Sequence, residues 1–420
     1  MNTFASIDAG LTKTSDAGVR ESMVENRKIV LKKRLIRELY EAGPLPIAHL
    51  ARLLHTSVPS ATTLIEELTA EKWLMELGVG ETQFGRKPVL YGLNPHRHQT
   101  LILDISTHDT QLIVFDLNNE IVARLATDLR LRDEDAYLPD LLATITSFFK
   151  RERLIRQDLL AVGVSVPGLI NPETGVNYTY PNLNQGGLSF GKRLEKYFGR
   201  PVFLINDTKA TVLGEHRFGL AKGKKHVLSV NVDWGMGLGI LLNGEVLTGA
   251  SGFAGELGHI QVRTDGELCH CGKRGCLDTV ASASALVRRV REDMQRGQST
   301  QLTAHAPGAI DVEKVVDAAR QGDAYSISVL KDISTEIGRG MAIAVQLFNP
   351  ELIIVDGVLA KAGRFITEPL EQAIEQYCLN EFRNNLSIEI SELGVMAKLF
   401  GTQAHLMENV LTPTQHLVDV

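Results

Sequence analysis

Val202-Phe203-Leu204-Ile205-Asn206-Asp207 is a short apolar run that stops on two polar side chains. A strand that ends this way is the usual setting of a working residue in an α/β fold, because ligands collect at the carboxyl ends of the strands. A carboxylate directly after a strand also serves as a helix cap, so Asp207 alone decides little. Its surroundings decide more. Upstream, residues 101–105, 111–116 and 121–125 read as three strands, 140–153 as an amphipathic helix and 161–166 as another apolar strand. Downstream the plan repeats, with strands at 227–232, 238–242 and 352–355 and helices near 282–296, 324–348 and 368–382. Two α/β lobes with a cleft between them follow.

The chain changes character near residue 95. Residues 24–40 are basic and place Leu31, Leu35, Ile36, Leu39 and Tyr40 on one helical face, ended by Gly43-Pro44. Residues 46–54 repeat the pattern. After His55-Thr56-Ser57 a third helix starts, capped by Ser57, with Pro59 in its first turn and Val58, Ala61, Leu64, Ile65 and Leu68 as its buried stripe. The last two helices have the dimensions of a helix-turn-helix whose second helix offers Ser60, Thr62, Thr63 and Glu66 outward. Residues 73–77 and 89–93 read as strands around a loop that closes on Gly85-Arg86-Lys87-Pro88. That makes a winged helix, with Arg86 and Lys87 where DNA phosphates or a minor groove could meet them. A helical protein-interaction module has similar geometry; the wing argues for DNA.

Charge follows the same division. Residues 23–95 hold ten Lys or Arg and eight Glu, a net +2, whereas residues 96–420 hold 32 basic and 39 acidic residues, a net −7. The whole chain of 420 residues carries −6, which excludes a protein that coats nucleic acid or anionic membrane with its entire surface. With 44% hydrophobic and 22% charged residues it is an ordinary globular chain, not a disordered or fibrous one. The first residues lack the pattern of a secretory signal, so residues 1–22 are expected to be a flexible polar leader. Charge interrupts every long apolar stretch, so no membrane span is expected, and a reducing cytoplasm suits the cysteines.

Three of the four cysteines fall within eight residues. His259, then nine residues, then Cys269-His270-Cys271, then four residues and Cys276 give one imidazole and three thiolates at spacings that suit tetrahedral structural zinc. Cys378 stands alone and reads as a buried apolar residue. Glu256 precedes His259 by three residues, so a metal that fixes the histidine also fixes a carboxylate that can receive hydroxyl protons.

These motifs, in this order, carry a resemblance. Val166-Pro167-Gly168 with Asn171-Pro172-Glu173-Thr174-Gly175, Pro181-Asn182-Leu183, Asn206-Asp207, Gly235-Met236-Gly237-Leu238-Gly239, Gly255 to His259 and Cys269 to Cys276 resemble the ROK family (repressors, open reading frames and kinases) in its repressor branch, of the kind that answers to glucose, N-acetylglucosamine or xylose. The resemblance implies residues 23–95 as a winged helix-turn-helix and residues 96–420 as a two-lobed actin-like, ribonuclease-H-like, ATPase-type sugar-binding fold, with a zinc loop inserted at 259–276. It implies that Asn206, Asp207, Glu256 and His259 hydrogen-bond a sugar, with Asp207 at the position of the catalytic base in kinase relatives. Asp278 stands where the family usually has glutamate. The implied partners are operator DNA, a sugar or sugar phosphate, a second copy of the chain as homodimer or tetramer, and a sugar-transport protein.

Kinase members resemble one another in an Asp-x-Gly-Gly-Thr-Lys turn and a Gly-Thr-Gly turn that cradle phosphate. Here the first reads Asp104-Ile105-Ser106-Thr107-His108-Asp109 and the second Asp233-Trp234-Gly235. Asp356-Gly357 replaces a glycine pair near the expected adenine site. Glycines and lysine are gone and two acids, Asp109 and Asp233, would face a polyanion. The chain is therefore expected to be a sugar-responsive transcriptional regulator and not an enzyme. The alternative is a ROK sugar kinase with a fused DNA-binding domain. A third reading keeps the fold but makes a protein partner the signal.

Overall fold

The computed structural model describes residues 16–80 and 87–412, which divide into two compact units. Of these, residues 16–80, 87–99, 116–120 and 407–412 belong to the first, residues 100–115 and 121–406 to the second.

The first unit opens with α1 (Asp16–Ala42), then β1 (Leu45–Pro46), α2 (Ile47–Leu53), α3 (Val58–Ala70), β2 (Leu74–Val79) and β3 (Val89–Leu93). Helix α1 corrects the expected leader, because residues 16–22 are helical. Asp16 puts an acid in the first turn and no proline follows before Pro44, so nothing in the sequence stops the helix from starting there. Leu35, Ile36 and Leu39 of α1 pack in one core with Leu50, Ala61, Leu64, Ile65 and Leu68, all of them buried. Ser57 caps α3 by accepting the amide of Ser60 at 3.3 Å. Between the helices His55 takes a left-handed conformation at φ +51°, which turns the chain. The strands form a small antiparallel sheet in the order β1-β3-β2. Arg37 and Lys33 donate to the carbonyls of Leu411 and Thr412, so among the described residues those from 407 onward belong with this unit.

The second unit contains β4 (Gln99–Ile105), β5 (Thr110–Asp116), β6 (Ile121–Thr127), α4 (Tyr137–Glu152), β7 (Leu159–Val166), β8 (Ile170–Asn171), β9 (Val176–Asn177), α5 (Phe190–Phe198), β10 (Val202–Asn206) and α6 (Asp207–Phe218). It continues with β11 (Val227–Val232), β12 (Met236–Leu242), β13 (Glu245–Val246), α7 (Asp278–Ala281), α8 (Ala283–Gln295), α9 (Val312–Arg320), α10 (Ala324–Phe348), β14 (Leu352–Asp356), α11 (Arg364–Tyr377), β15 (Ser387–Ile390) and α12 (Val395–Leu411).

Its two five-stranded sheets have the same plan. The first runs β10-β7-β4-β5-β6 and the second β15-β14-β11-β12-β13. In each, the first strand is central, the next two lie to one side and the last two to the other. The third strand is antiparallel to the second, and the fifth is parallel to the fourth. Each sheet buries its own core, one around Leu103, Val114, Ile145 and Val164, the other around Val230, Leu286, Ile337 and Val355. Helix α11 departs from the sequence expectation of 368–382. It starts after Gly363, whose φ of +61° breaks the preceding turn, so Pro369 falls inside the helix instead of at its start. The extended backbone of Cys378 ends it. Among the described residues no helix is long and apolar enough to cross a membrane.

Candidate functional site

Strand β10 delivers Asn206 and Asp207 to the start of α6. Asn206, not Asp207, is the cap: its side-chain oxygen accepts the amides of Thr208 at 3.1 Å and Lys209 at 3.2 Å, while its Nδ2 donates to the Gly168 carbonyl at 3.2 Å. Asp207 is the first helical residue and its carboxylate accepts the Thr208 amide at 2.9 Å. The glycine run lets this helix lie on β12. A Cβ on Gly237 would come 2.4 Å from Thr208 Oγ1, and one on Gly239 2.8 Å from the Thr208 carbonyl.

Glu256 follows Gly255, whose φ of +94° and close approach to the Leu238 carbonyl admit no side chain. His259 then lies between two neighbours. Its Nδ1 is 3.7 Å from Cys269 Sγ and its Nε2 is 3.9 Å from Glu256 Oε2. Cys271 and Cys276 place their sulfurs 3.6 Å apart, and the ligand atoms of His259, Cys269, Cys271 and Cys276 all fall within 4.8 Å of one another. Tetrahedral bonds of ~2.3 Å separate donors by about 3.7 Å, so this cluster fits a four-coordinate ion. A second group, Cys269, His270 and Asp278, shares one sulfur with the first. His270 stacks edge-on to His259, 5.1 Å between centroids, and its Nδ1 is 3.9 Å from Asp278 Oδ2. Burial raises the pKa of Asp278, as it does that of Glu256, where Lys209 pulls downward and Asp207 pushes further up. Asp207, Glu256 and His259 therefore form one neighbourhood. Asp278 reaches it through His270.

Two lysines that sequence reasoning passed over, Lys209 buried and Lys398 half-buried, complete it. Lys209, on the first turn of α6 and 5% exposed, donates to the Ala254 carbonyl at 2.8 Å and feels both Glu256 and Asp207. Lys398 of α12 pairs with Asp104 at 3.1 Å, and Asp104, 2% exposed, also accepts from Ser165 at 2.8 Å. Burial works against the Lys398 ammonium, but Asp104, Asp207 and Asp233 outweigh it and hold its pKa above the usual lysine value. Glycines put Lys398 there. A Cβ on Gly214 would come 1.8 Å from the Ala397 carbonyl and one on Gly401 1.7 Å from that of Ala210, so α6 and α12 cross backbone to backbone. A Lys in a helix gives no signal of this by itself; the glycines, a helix apart, were the available hint.

The two altered turns face each other. His108 and Trp234 stack with centroids 4.7 Å apart and planes 15° from parallel. The amides of His108 and Asp109 both donate to Ser106 Oγ at 3.1 Å, and that hydroxyl is 2.6 Å from Asp109 Oδ1. In the other turn the Asp233 amide donates to the Gly235 carbonyl at 2.9 Å and the Trp234 amide to Asp233 Oδ1 at 2.9 Å. The amides of His108, Asp109, Asp233 and Trp234 are thus engaged within their own turns.

In the first unit Ser60 and Thr63 are exposed and Thr62 half-buried. The hydroxyls of Thr62 and Thr63 donate to the helix carbonyls of Val58 at 2.9 Å and Pro59 at 3.2 Å, which leaves them to act outward as acceptors. Lys87 is exposed beside β3, and Arg86 lies outside the described residues.

The ROK family model matches residues 100–409. The chain belongs to the ROK family. This ROK chain is 28% identical over 357 residues to the DNA-binding transcriptional dual regulator NagC of Escherichia coli, covering 85% of this chain and 87% of that one. A crystal structure of a ROK family transcriptional regulator, a homologue of the E. coli MLC protein, matches with a TM-score of 0.78 at 29% identity over 92% of this chain and 97% of its own. A ROK family glucokinase from Streptomyces griseus, solved with glucose and AMPPNP, matches with a TM-score of 0.64 at 26% identity, over 72% of this ROK chain and 97% of the kinase.

At the end of β14 the carboxyl of Asp356 is pushed up to about 6 by burial. Its folded pKa lies above the ordinary carboxylate value, so the folded state holds the extra proton, and stability is lost as pH rises through about 6. A shift of about two units corresponds to roughly 3 kcal/mol. Asp356→Asn is therefore expected to raise unfolding free energy by on the order of 2–3 kcal/mol at pH 8 and hardly at all at pH 4. Urea titrations that give the same gain at both pH values would contradict this.

Proposed function

We propose that this ROK chain is a sugar-responsive, DNA-binding transcriptional repressor of carbohydrate genes, with a winged helix-turn-helix at residues 23–95 and the sugar held by Asn206, Asp207, Glu256, His259 and Asp278. Structural zinc on His259, Cys269, Cys271 and Cys276 holds the histidine ring so that its other nitrogen faces Glu256. The chain acts in the cytoplasm as a symmetric oligomer, each copy presenting one α3 to half of a pseudo-palindromic operator. Ser60, Thr62 and Thr63 read base edges as acceptors, while Arg86 and Lys87 neutralise phosphates. A sugar-transport protein is a further partner of this reading.

The observation that carries the non-enzymatic part is the His108–Trp234 stack over turns whose amides are internally engaged. Phosphoryl transfer is almost entirely positioning and electrostatic stabilisation of phosphate. Those are the parts this pocket lacks, so Asp207 has no phosphoryl donor to serve.

Purified full-length chain should retard operator DNA in gel-shift titrations, release or tighten with sugar, and show no sugar-dependent ATP turnover. Lys87→Ala should lower the slope of log affinity against log salt by about one unit if it touches one phosphate. Turnover at the ~1–100 per second of ordinary kinases would overturn the reading.

A further inference from the structure

Beside the four ligands already described, a further imidazole and a further carboxylate converge on the same sulfur. His270 Nδ1 lies 3.7 Å from Cys269 Sγ, the distance at which His259 Nδ1 stands from that atom. It also lies 3.9 Å from Asp278 Oδ2, and the ligand atoms of Cys269, His270 and Asp278 all fall within 4.8 Å of one another. A thiol has one proton and can donate it to only one of the two imidazoles. A thiolate can hold an ion on each side.

The donor types suit zinc. Thiolate, imidazole and carboxylate bind it at about 2.0–2.3 Å, which places tetrahedral donors roughly 3.3–3.6 Å apart, a few tenths of an ångström inside the separations of this second set. Rotation of the His270 ring can close that gap, because its side chain is 63% exposed. The other two donors are fixed. Cys269 is buried, and Asp278, buried at the start of α7, has its carboxylate held by the Met236 amide. Two fixed donors and one mobile ring on the solvent side leave a fourth position for water, the mark of an open site and not of a closed structural one. Two divalent ions repel across one sulfur, but the three thiolates and the Asp278 carboxylate match their charge. Lys273, whose ammonium bonds the His259 carbonyl at 2.9 Å, and the missing fourth protein ligand make the second ion the weaker of the two.

We infer that Cys269, His270 and Asp278 bind a second, exchangeable zinc ion that shares the Cys269 sulfur with the structural one. The inference rests on the structural-zinc reading above. The second ion ties the loop that carries His259 to the start of α7, and its occupancy follows the supply of free zinc.

Titration of the full-length, one-zinc chain with zinc chloride tests it. Elemental analysis should find one zinc per chain after dialysis, and calorimetry one further ion that a mild chelator removes again. His270→Ala and Asp278→Asn should each keep the first zinc and weaken the second by at least ~10-fold. Cobalt chloride added to the one-zinc chain reads the shared sulfur: the incoming ion should bring thiolate-to-cobalt charge-transfer absorption, which an ion on His270 and Asp278 alone would not show. A chain that takes up no second ion overturns the inference and leaves the structural zinc standing. So does a second ion that binds both variants as tightly as the parent, or cobalt that binds without the charge-transfer band. A chain purified without any zinc overturns the structural-zinc reading itself.

Discussion

Lys398→Met should lower the unfolding free energy by about 3–5 kcal/mol, because it leaves a buried carboxylate without its partner. Asp104 is 2% exposed and would keep only Ser165 as a donor. The variant would have to bury a charge or bind a proton. Burial already raises the Asp104 pKa despite Lys398, and without the ammonium it would rise further, so the deficit should be smallest in acid and grow as pH rises. The double variant Lys398→Met with Asp104→Leu removes both charges and should recover most of the loss, since a buried pair and a well-packed apolar pair differ little in net stability. Chemical denaturation of the three proteins at pH 5 and pH 8 measures this. A single variant as stable as the parent would show that the pair is solvated and that Lys398 does not organise the pocket.

The second large effect belongs to the metal. The purified chain should carry one zinc, and Cys276→Ser, at a fully buried position, should lose it. Apparent binding free energies of structural zinc are of the order of 10 kcal/mol, so the loop at 259–276 should open in the variant. Sugar affinity should fall with it, by at least ~10-fold, although no cysteine need touch the sugar, because the ring of His259 that faces Cys269 also faces Glu256. Elemental analysis beside calorimetry reads both consequences. Undiminished sugar binding in a zinc-free variant would uncouple the two sites.

Local pattern told much of this. The strand signals at 202–205, 227–232 and 352–355 are short apolar runs, broken only by Ser229 and Asn231, and they are too short for buried helices. Ser57 before an apolar stripe fixes the start of α3, and the spacing of His259 with three cysteines places four ligands on one loop. Such signals are short in range, so a single sequence contains them whole. Boundaries were less legible where two stop signals compete, as at α11, where Gly363 and Pro369 both offer a start and only packing chooses.

The sequence by itself determined the α/β composition, the basic amino-terminal helices, the spacing of the Cys/His cluster and the side chains that stand at 104–109 and 233–235 in place of glycine turns. Only the tertiary structure decided what those side chains meet. His108 and Trp234 are 126 positions apart and Asp104 and Lys398 are 294 apart, and neither ring nor charge shows its partner in the flanking residues. Gly214 against Ala397 and Gly401 against Ala210 bring α6 and α12 into backbone contact, and that crossing sets Lys398 beside Asp104 and within reach of Asp207. Whether a buried lysine is free to hold a phosphate or is already engaged depends on which acids surround it in space, and that is a property of the packed helices, not of the residues beside it in the chain.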